Sequence, residues 1–209
     1  MDAALRVMGR VGYASTTTAM VAQEAGVTRG AVYGHFGSKP ALYAHLLSLS
    51  QAPLTATVDA AVADSEDGRP APGAVYRFMV RWLALLHTDP RHRASTEIFL
   101  NKSEMVPELD EARAGELALT RHILAGLRKI LRRGVQRHEL AEDLNVELTA
   151  VAVYAHLMGL MQTWLFNPRL FNLRRAAPEL VHDFLNGSVR PTAAGRRALE
   201  EAHRAEAAV

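Results

Sequence analysis

The chain has 209 residues, 49% of them hydrophobic, 22% charged and 6% aromatic, with a formal net charge of +2. That composition excludes a disordered or collagen-like chain, and the length fits one large domain or a small one joined to a larger one. The absence of cysteine excludes disulfides, thiolate zinc sites and a cysteine nucleophile, and it fits a reducing compartment, so the expected location is cytoplasmic.

The charge excess sits at one end. Residues 1–50 hold four basic side chains (Arg6, Arg10, Arg29, Lys39) against two acidic ones (Asp2, Glu24), whereas residues 51–209 hold twenty of each sign. The N-terminus carries Arg6 and Arg10 inside its apolar stretch and is no secretory signal.

Alanine and leucine dominate, strand-like alternation is rare, and the breaks fall at Gly and Pro clusters, so nearly every segment predicts helix. A short first helix runs from Asp2 to Gly12. A second, Thr18 to Ala25, starts after the Thr16-Thr17 pair and stops at Gly26; a third, Thr28 to Phe36, is closed by Gly37. Ser38 caps a longer fourth helix reaching about Ala63, with Pro40 tolerated in its first turn. After a loop at 64–73, helices are expected at 74–88, 90–103, 107–137, 145–166 and 176–187, followed by a charged tail or loosely docked helix from Arg190 to Val209.

Two short helices joined by Ala25-Gly26-Val27 have the size and turn of a helix-turn-helix. On the third helix Val32 and Phe36 form an inward pair, and the outward face is small apart from Arg29 and Tyr33. Small residues let a helix backbone sink into a major groove, and Arg29 is placed to donate two hydrogen bonds to a guanine. Spacing alone leaves a plain helical hairpin equally open. The literal residues decide between them. The stretch Gly26-Val27-Thr28-Arg29-Gly30-Ala31-Val32-Tyr33-Gly34-His35-Phe36-Gly37-Ser38-Lys39 resembles the DNA-binding signature of the TetR family of bacterial transcriptional regulators, in particular the branch that represses multidrug efflux pumps.

The resemblance implies an all-α homodimer. Residues 1–46 would form a three-helix helix-turn-helix domain, and residues 47–209 a helical ligand-binding and dimerisation domain. It also implies a ligand-responsive repressor, not an enzyme, released from a palindromic operator by a lipophilic small molecule. By motif position, base reading falls on Thr28, Arg29 and Gly30, and phosphate contacts on Thr17, Thr18, Tyr33, His35 and Lys39. Two departures stand out: a basic arm ahead of the first helix is expected and is missing here, and Gly34 replaces a frequent bulky aromatic. The short N-terminus keeps an alternative open, a small-molecule-binding protein of this fold with impaired DNA binding.

The resemblance continues, more weakly, through Glu97-Ile98-Phe99-Leu100-Asn101-Lys102-Ser103-Glu104 and through Gly159 to Leu165 with Asn167-Pro168. It places a pocket among the fifth to eighth helices. Val75, Phe78, Met79 and Trp82 share one face of the fifth helix, and Thr120, Ile123, Leu124 and Leu127 one face of the seventh. Periodicity alone reads such stripes as ordinary core; the resemblance makes them ligand candidates, together with Thr96, Leu100, Tyr154 and Met158.

Leu148 to Pro168 contains no charged residue and is about long enough to span a bilayer. Its alanines and polar residues favour a buried helix, with one face (Tyr154, Leu157, Met158, Met161) toward the pocket. The other face (Ala152, His156, Gly159, Thr163) is expected against a partner subunit, completed by Leu180, Val181 and Phe184. Nine histidines are scattered without ligand spacing, His122, His138 and His182 reading as surface residues, and no metal or cofactor is expected. No catalytic set can be placed. The basic run Arg128-Lys129-Arg132-Arg133-Arg137 reads as a solvated helix face.

Overall fold

The computed structural model describes residues 1–101 and 107–207. Among them are ten α-helices, one 3-10 turn and no strand; an isolated bridge joins Leu140 to Pro191. The helices are α1 (Asp2–Ser15), α2 (Thr18–Ala25), α3 (Arg29–Phe36), α4 (Lys39–Glu66), α5 (Ala71–Thr88), α6 (Pro90–Asn101), α7 (Asp110–Gln136), α8 (Val146–Phe166), α9 (Leu173–Ser188) and α10 (Ala193–Ala207). Lys102, Ser103 and Glu104, the end of one family-like stretch, lie outside the described residues.

Several boundaries differ from expectation for identifiable reasons. Gly12 kinks α1 (φ 79°) without ending it, and helical bonding resumes to Ser15. The kink needs a left-handed φ that glycine adopts at no steric cost. The fifth helix begins at Ala71, three residues early, with the Ala71 N–H bonded to a Glu139 carboxylate oxygen at 2.7 Å. The ninth begins at Leu173, where Asn172 accepts a bond from the Arg175 N–H. The C-terminal residues are no loose tail: Leu199 and Ala202 of α10 are buried.

The chain packs as two compact units. The first comprises Met1–Pro53 and Thr88–Leu119, so it takes in α6 and the start of α7 as well as the first three helices. Its core gathers Leu5, Val7 and Met8 of α1, Val21 of α2, Leu42, Tyr43, Leu46 and Leu47 of α4, and Ile98 of α6. At its edge His92 is buried and donates through Nδ1 to the Ser50 carbonyl at 3.0 Å, which leaves Nε2 as an acceptor without a partner among the described residues. Burial holds this imidazole below its ordinary pKa.

The second unit comprises Leu54–His87 and Thr120–Val209. Its core is built from α5 (Tyr76, Phe78, Met79, Trp82, Leu83), α7 (Ile123, Leu127, Ile130), α8 (Val153, Leu157, Met161) and α9 (Val181, Leu185). Helix α8 is long and apolar enough, by length and composition alone, to cross a membrane. One side of it lies in this core. The other exposes Leu148 and Val151, so the helix is not covered all round. Gly126 lets α7 approach α4, since a methyl there would meet Val58 and Val62. The basic face of α7 is ion-paired: Arg132 with Glu147, Lys129 and Arg133 with Glu66. His182, expected at the surface, is largely covered between α9 and α10, its ring 4.6 Å from that of His203 and its Nε2 3.1 Å from Glu200. The His203 Nδ1 meets the Tyr76 hydroxyl at 2.9 Å.

Two measurements check this packing. A methyl at Gly195 would collide with the Glu139 carbonyl, so Gly195→Ala is expected to destabilise the protein by about 1–3 kcal/mol, the usual range for overpacking. An unchanged thermal midpoint contradicts the docking of α10. For His92 the unfolded chain binds the proton more readily than the folded one, so its contribution is complete above its ordinary value of 6.5 and is lost as pH falls through the lowered folded value. His92→Asn keeps a donor for Ser50 but does not titrate, and is expected to flatten the fall in thermal midpoint between about pH 7 and 5.

Candidate nucleic-acid interface and ligand site

The helix-turn-helix is set by two threonine caps. Thr17 Oγ1 accepts from the Met20 N–H and Thr28 Oγ1 from the Ala31 N–H, each at 3.2 Å. Each cap satisfies one orphan amide at the start of its helix. Gly26, at φ 67°, turns the chain between α2 and α3. Only Val32 of α3 is buried; Thr28, Arg29, Gly30, Tyr33 and His35 are exposed, as is Thr17, and Thr18 is half-buried. Each hydroxyl acts as an acceptor in its cap and retains an O–H as a potential donor. Beside α3 an open apolar groove of about 400 Å³ is lined by residues that include Met1, Ala4, Val21, Val27, Ala31 and Phe36.

The basic side chains here are differently occupied. Arg6 Nε bonds Glu24 at 2.7 Å and Arg10 lies 3.7 Å from the same carboxylate. The hydrogen bond from Arg6 is the main reason that the Glu24 carboxyl titrates below its ordinary range. Arg91 pairs with Asp2. Lys39 donates to the Tyr13 and Ala14 carbonyls at 3.2 and 3.1 Å, and its ammonium sits 4.4 Å from the centre of the Tyr13 ring. It therefore closes the C-terminal end of α1, a role that the motif does not reveal, and keeps one N–H for any outside acceptor. Among the described residues Arg29 has no acidic partner.

The expected ligand residues divide. Thr96 and Leu100 are half-buried on α6 in the first unit; the others belong to the second. Of these, Val75, Phe78, Met79, Trp82, Ile123 and Leu127 are buried. Phe78 and Trp82 meet edge to face at 5.5 Å, and the Trp82 indole N–H donates to the Met161 sulfur at 2.8 Å. Thr120 and Tyr154 share a hydroxyl–hydroxyl bond at 3.1 Å, and Met158 is half-buried. The result is an apolar interior with one polar pair, the composition of a site for an apolar guest. The bond between Met161 and Trp82 has no sequence signal.

The expected subunit-facing residues also divide. Gly159, Thr163 and Leu180 are exposed, and Ala152, His156 and Phe184 are half-buried. Val181 is fully buried within its own unit, because Ala177, Val181 and Leu185 recur at four-residue spacing along the inward face of α9. The His156 ring stacks flat on Phe184 at 4.0 Å, and burial lowers its pKa.

Known proteins share this geometry. Residues 1–46 match the family model described as bacterial regulatory proteins, tetR family, and residues 74–188 match that of the MAATS-type transcriptional repressor C-terminal region. The HTH-type transcriptional regulator TtgR of Pseudomonas putida is 34% identical over 170 residues, covering 80% of this chain and 79% of its own length. The crystal structure of NalD, the secondary repressor of the MexAB-OprM multidrug efflux pump in Pseudomonas aeruginosa, superimposes with a TM-score of 0.78 at 26% identity, covering 90% of this chain and 92% of NalD. The complex of SmeT, repressor of the Stenotrophomonas maltophilia SmeDEF pump, with triclosan gives a TM-score of 0.74 at 26% identity, covering 92% and 93%.

The double role of Lys39 can be checked directly. Lys39→Ala removes two charge-assisted bonds to α1, and the free protein is expected to lose about 1–3 kcal/mol of stability, DNA being absent. A thermal midpoint equal to that of the parent protein would show that the contact is idle.

Proposed function

We propose, since the chain belongs to the TetR family of bacterial regulatory proteins, that it is a ligand-responsive transcriptional repressor. It acts in the cytoplasm as a homodimer on an efflux or stress operon. In this reading residues 1–46 bind a palindromic operator, and residues 47–209 serve the effector and the partner subunit. The observation that carries it is the exposed α3, capped at its start and presenting Arg29, which has no acidic partner among the described residues. Two copies set their α3 helices in successive major grooves roughly 34 Å apart. Arg29 donates its forked pair of N–H groups to a guanine, flanked by Thr28 and Gly30. Thr17, Thr18, Tyr33, His35 and the remaining Lys39 N–H hold phosphates.

The effector is a lipophilic molecule received by the apolar side chains Val75, Phe78, Met79, Trp82, Ile123 and Leu127 of the second unit, with the Thr120–Tyr154 pair as polar handle and Met158 completing its contacts. That SmeT is found with triclosan supports this class of ligand. Helix α4 runs without interruption from Lys39 to Glu66, and the division between units falls on it at Pro53 and Leu54. Pro53 lacks the N–H that would bond one turn back, so a shift set up by the effector at one end of α4 is carried along it with a weak point on the way. Moving from mostly bound to mostly released takes on the order of 5 kcal/mol of differential effector affinity. The subunit contact uses the exposed side of α8 with Leu180 and Phe184 of α9.

Arg29→Ala is expected to weaken operator binding by about 1–3 kcal/mol and to relax preference at one base pair; equal weakening on every duplex removes it as a base reader. A Cβ at Gly159 would meet nothing within 4 Å in the chain itself, so Gly159→Asp should leave the fold in place while size-exclusion chromatography shifts from dimer to monomer. An intact dimer places the contact elsewhere.

A further inference from the structure

The uncharged stretch from Leu148 to Pro168 holds a single histidine, His156, and histidine is the side chain whose charge changes near neutral pH. The His156 ring lies flat on Phe184 of α9, the centroids 4.0 Å apart and the planes 4° from parallel. Its Nε2 is buried and makes no hydrogen bond among the described residues. Burial holds this imidazole below its ordinary pKa, against a weaker opposing pull from the Leu180 backbone.

The titratable groups nearby are turned elsewhere. From Ala176 to Ser188, α9 carries three: Glu179, His182 and Asp183. Glu179 reaches His203 of α10 at 3.4 Å, His182 reaches Glu200 of α10 at 3.1 Å, and Asp183, well exposed, lies 3.5 Å from His182. On α8 itself, Tyr154 is bonded to Thr120 and Glu147 is paired with Arg132. The Phe184 ring offers an imidazolium a cation–π attraction, but it supplies no acceptor for a charged Nε2–H. A single chain leaves His156 half-buried, so water still reaches part of the ring. Covering that side removes the water and brings no anion in return, because a second copy of the uncharged face of α8 is all that meets it.

We propose that His156 makes the subunit contact sensitive to pH: the neutral ring packs into the contact, and the protonated ring holds the subunits apart. The proposal rests on the contact assigned above to α8, Leu180 and Phe184. Two-fold symmetry places a His156 from each subunit in that contact, so two charges would have to be buried at once. A dimer that seals the neutral ring binds protons less readily than two separate chains. Its affinity is therefore complete above histidine's ordinary value of 6.5 and is lost as pH falls below it. Because operator binding uses both reading heads, acidification is a second releasing signal beside the effector.

The test follows the dimer dissociation constant of the full chain, labelled at its N-terminal amine, by fluorescence-detected sedimentation. The constant is expected to be at least about tenfold weaker at about pH 5.5 than at about pH 7.5, with helical circular dichroism retained. His156→Phe keeps a ring on Phe184 but cannot be protonated, and His156→Gln keeps a polar end without titrating; in each the constant is expected to hold within about twofold across that range. His92→Asn, in the other unit, is expected to leave the pH dependence in place. A parent dimer whose constant stays within about twofold overturns the proposal and leaves the regulator reading intact. A pH dependence that survives both His156 substitutions, or that disappears in His92→Asn, removes His156 as its source. A chain that is monomeric at both pH values overturns the subunit contact and this proposal with it.

Discussion

The first unit depends on how the end of α1 is tied to the start of α4. Tyr13 is fully buried, its ring 4.9 Å from that of Tyr43, and the Lys39 ammonium holds the carbonyls of Tyr13 and Ala14 while lying over the Tyr13 ring. Those carbonyls belong to the last turn of a helix and carry its negative end, which a cation stabilises. With α1 and α4 joined at this point, α2 and α3 are left to pack on them through a small set of side chains, Val21, Ala22 and Val32. The recognition helix can then present most of its surface outward.

The same knot limits the electrostatics of the interface. Of the four basic side chains among residues 1–50, Arg6 and Arg10 share Glu24 and Lys39 spends two of its three N–H bonds on α1. Of these four, only Arg29 is uncommitted among the described residues. An interface built this way draws on oriented amides at the starts of α2 and α3, on hydroxyls and on groove contact more than on counterion release. It also gives the outward glycines of α3 a physical sense, since a helix with few charges to hold it must approach closely.

Much of this is legible in the sequence. The threonine caps, the left-handed Gly26 and the inward Val32 are local features, and the caps and turns of α2 and α3 follow from them. What is not legible depends on distant partners. Gly12 reads as a terminus because glycine signals both a kink and an end. The α10 segment reads as a tail or a loosely docked helix because its docking residues, Leu199 and Ala202, are sparse among charges and meaningful only against α5 and α9. Lys39 fits the motif as a phosphate ligand, and nothing in that motif announces its bond to α1. Thr96 and Leu100 carry no information on which unit they join, and Val181 falls one helical face away from Leu180 and Phe184.

A chain that grips DNA through shape and oriented backbone groups makes few ionic contacts. The salt dependence of operator binding counts those contacts, because log K falls with log salt at a slope of about −0.9 for each phosphate neutralised. Lys39 is the basic side chain left for phosphate in each subunit, and even with Arg29 counted beside it at most four such charges meet the duplex in the dimer, so the predicted slope is about −4 or shallower. A slope of about −8 or steeper would contradict this mode of binding, since it requires basic side chains that the structure shows engaged elsewhere.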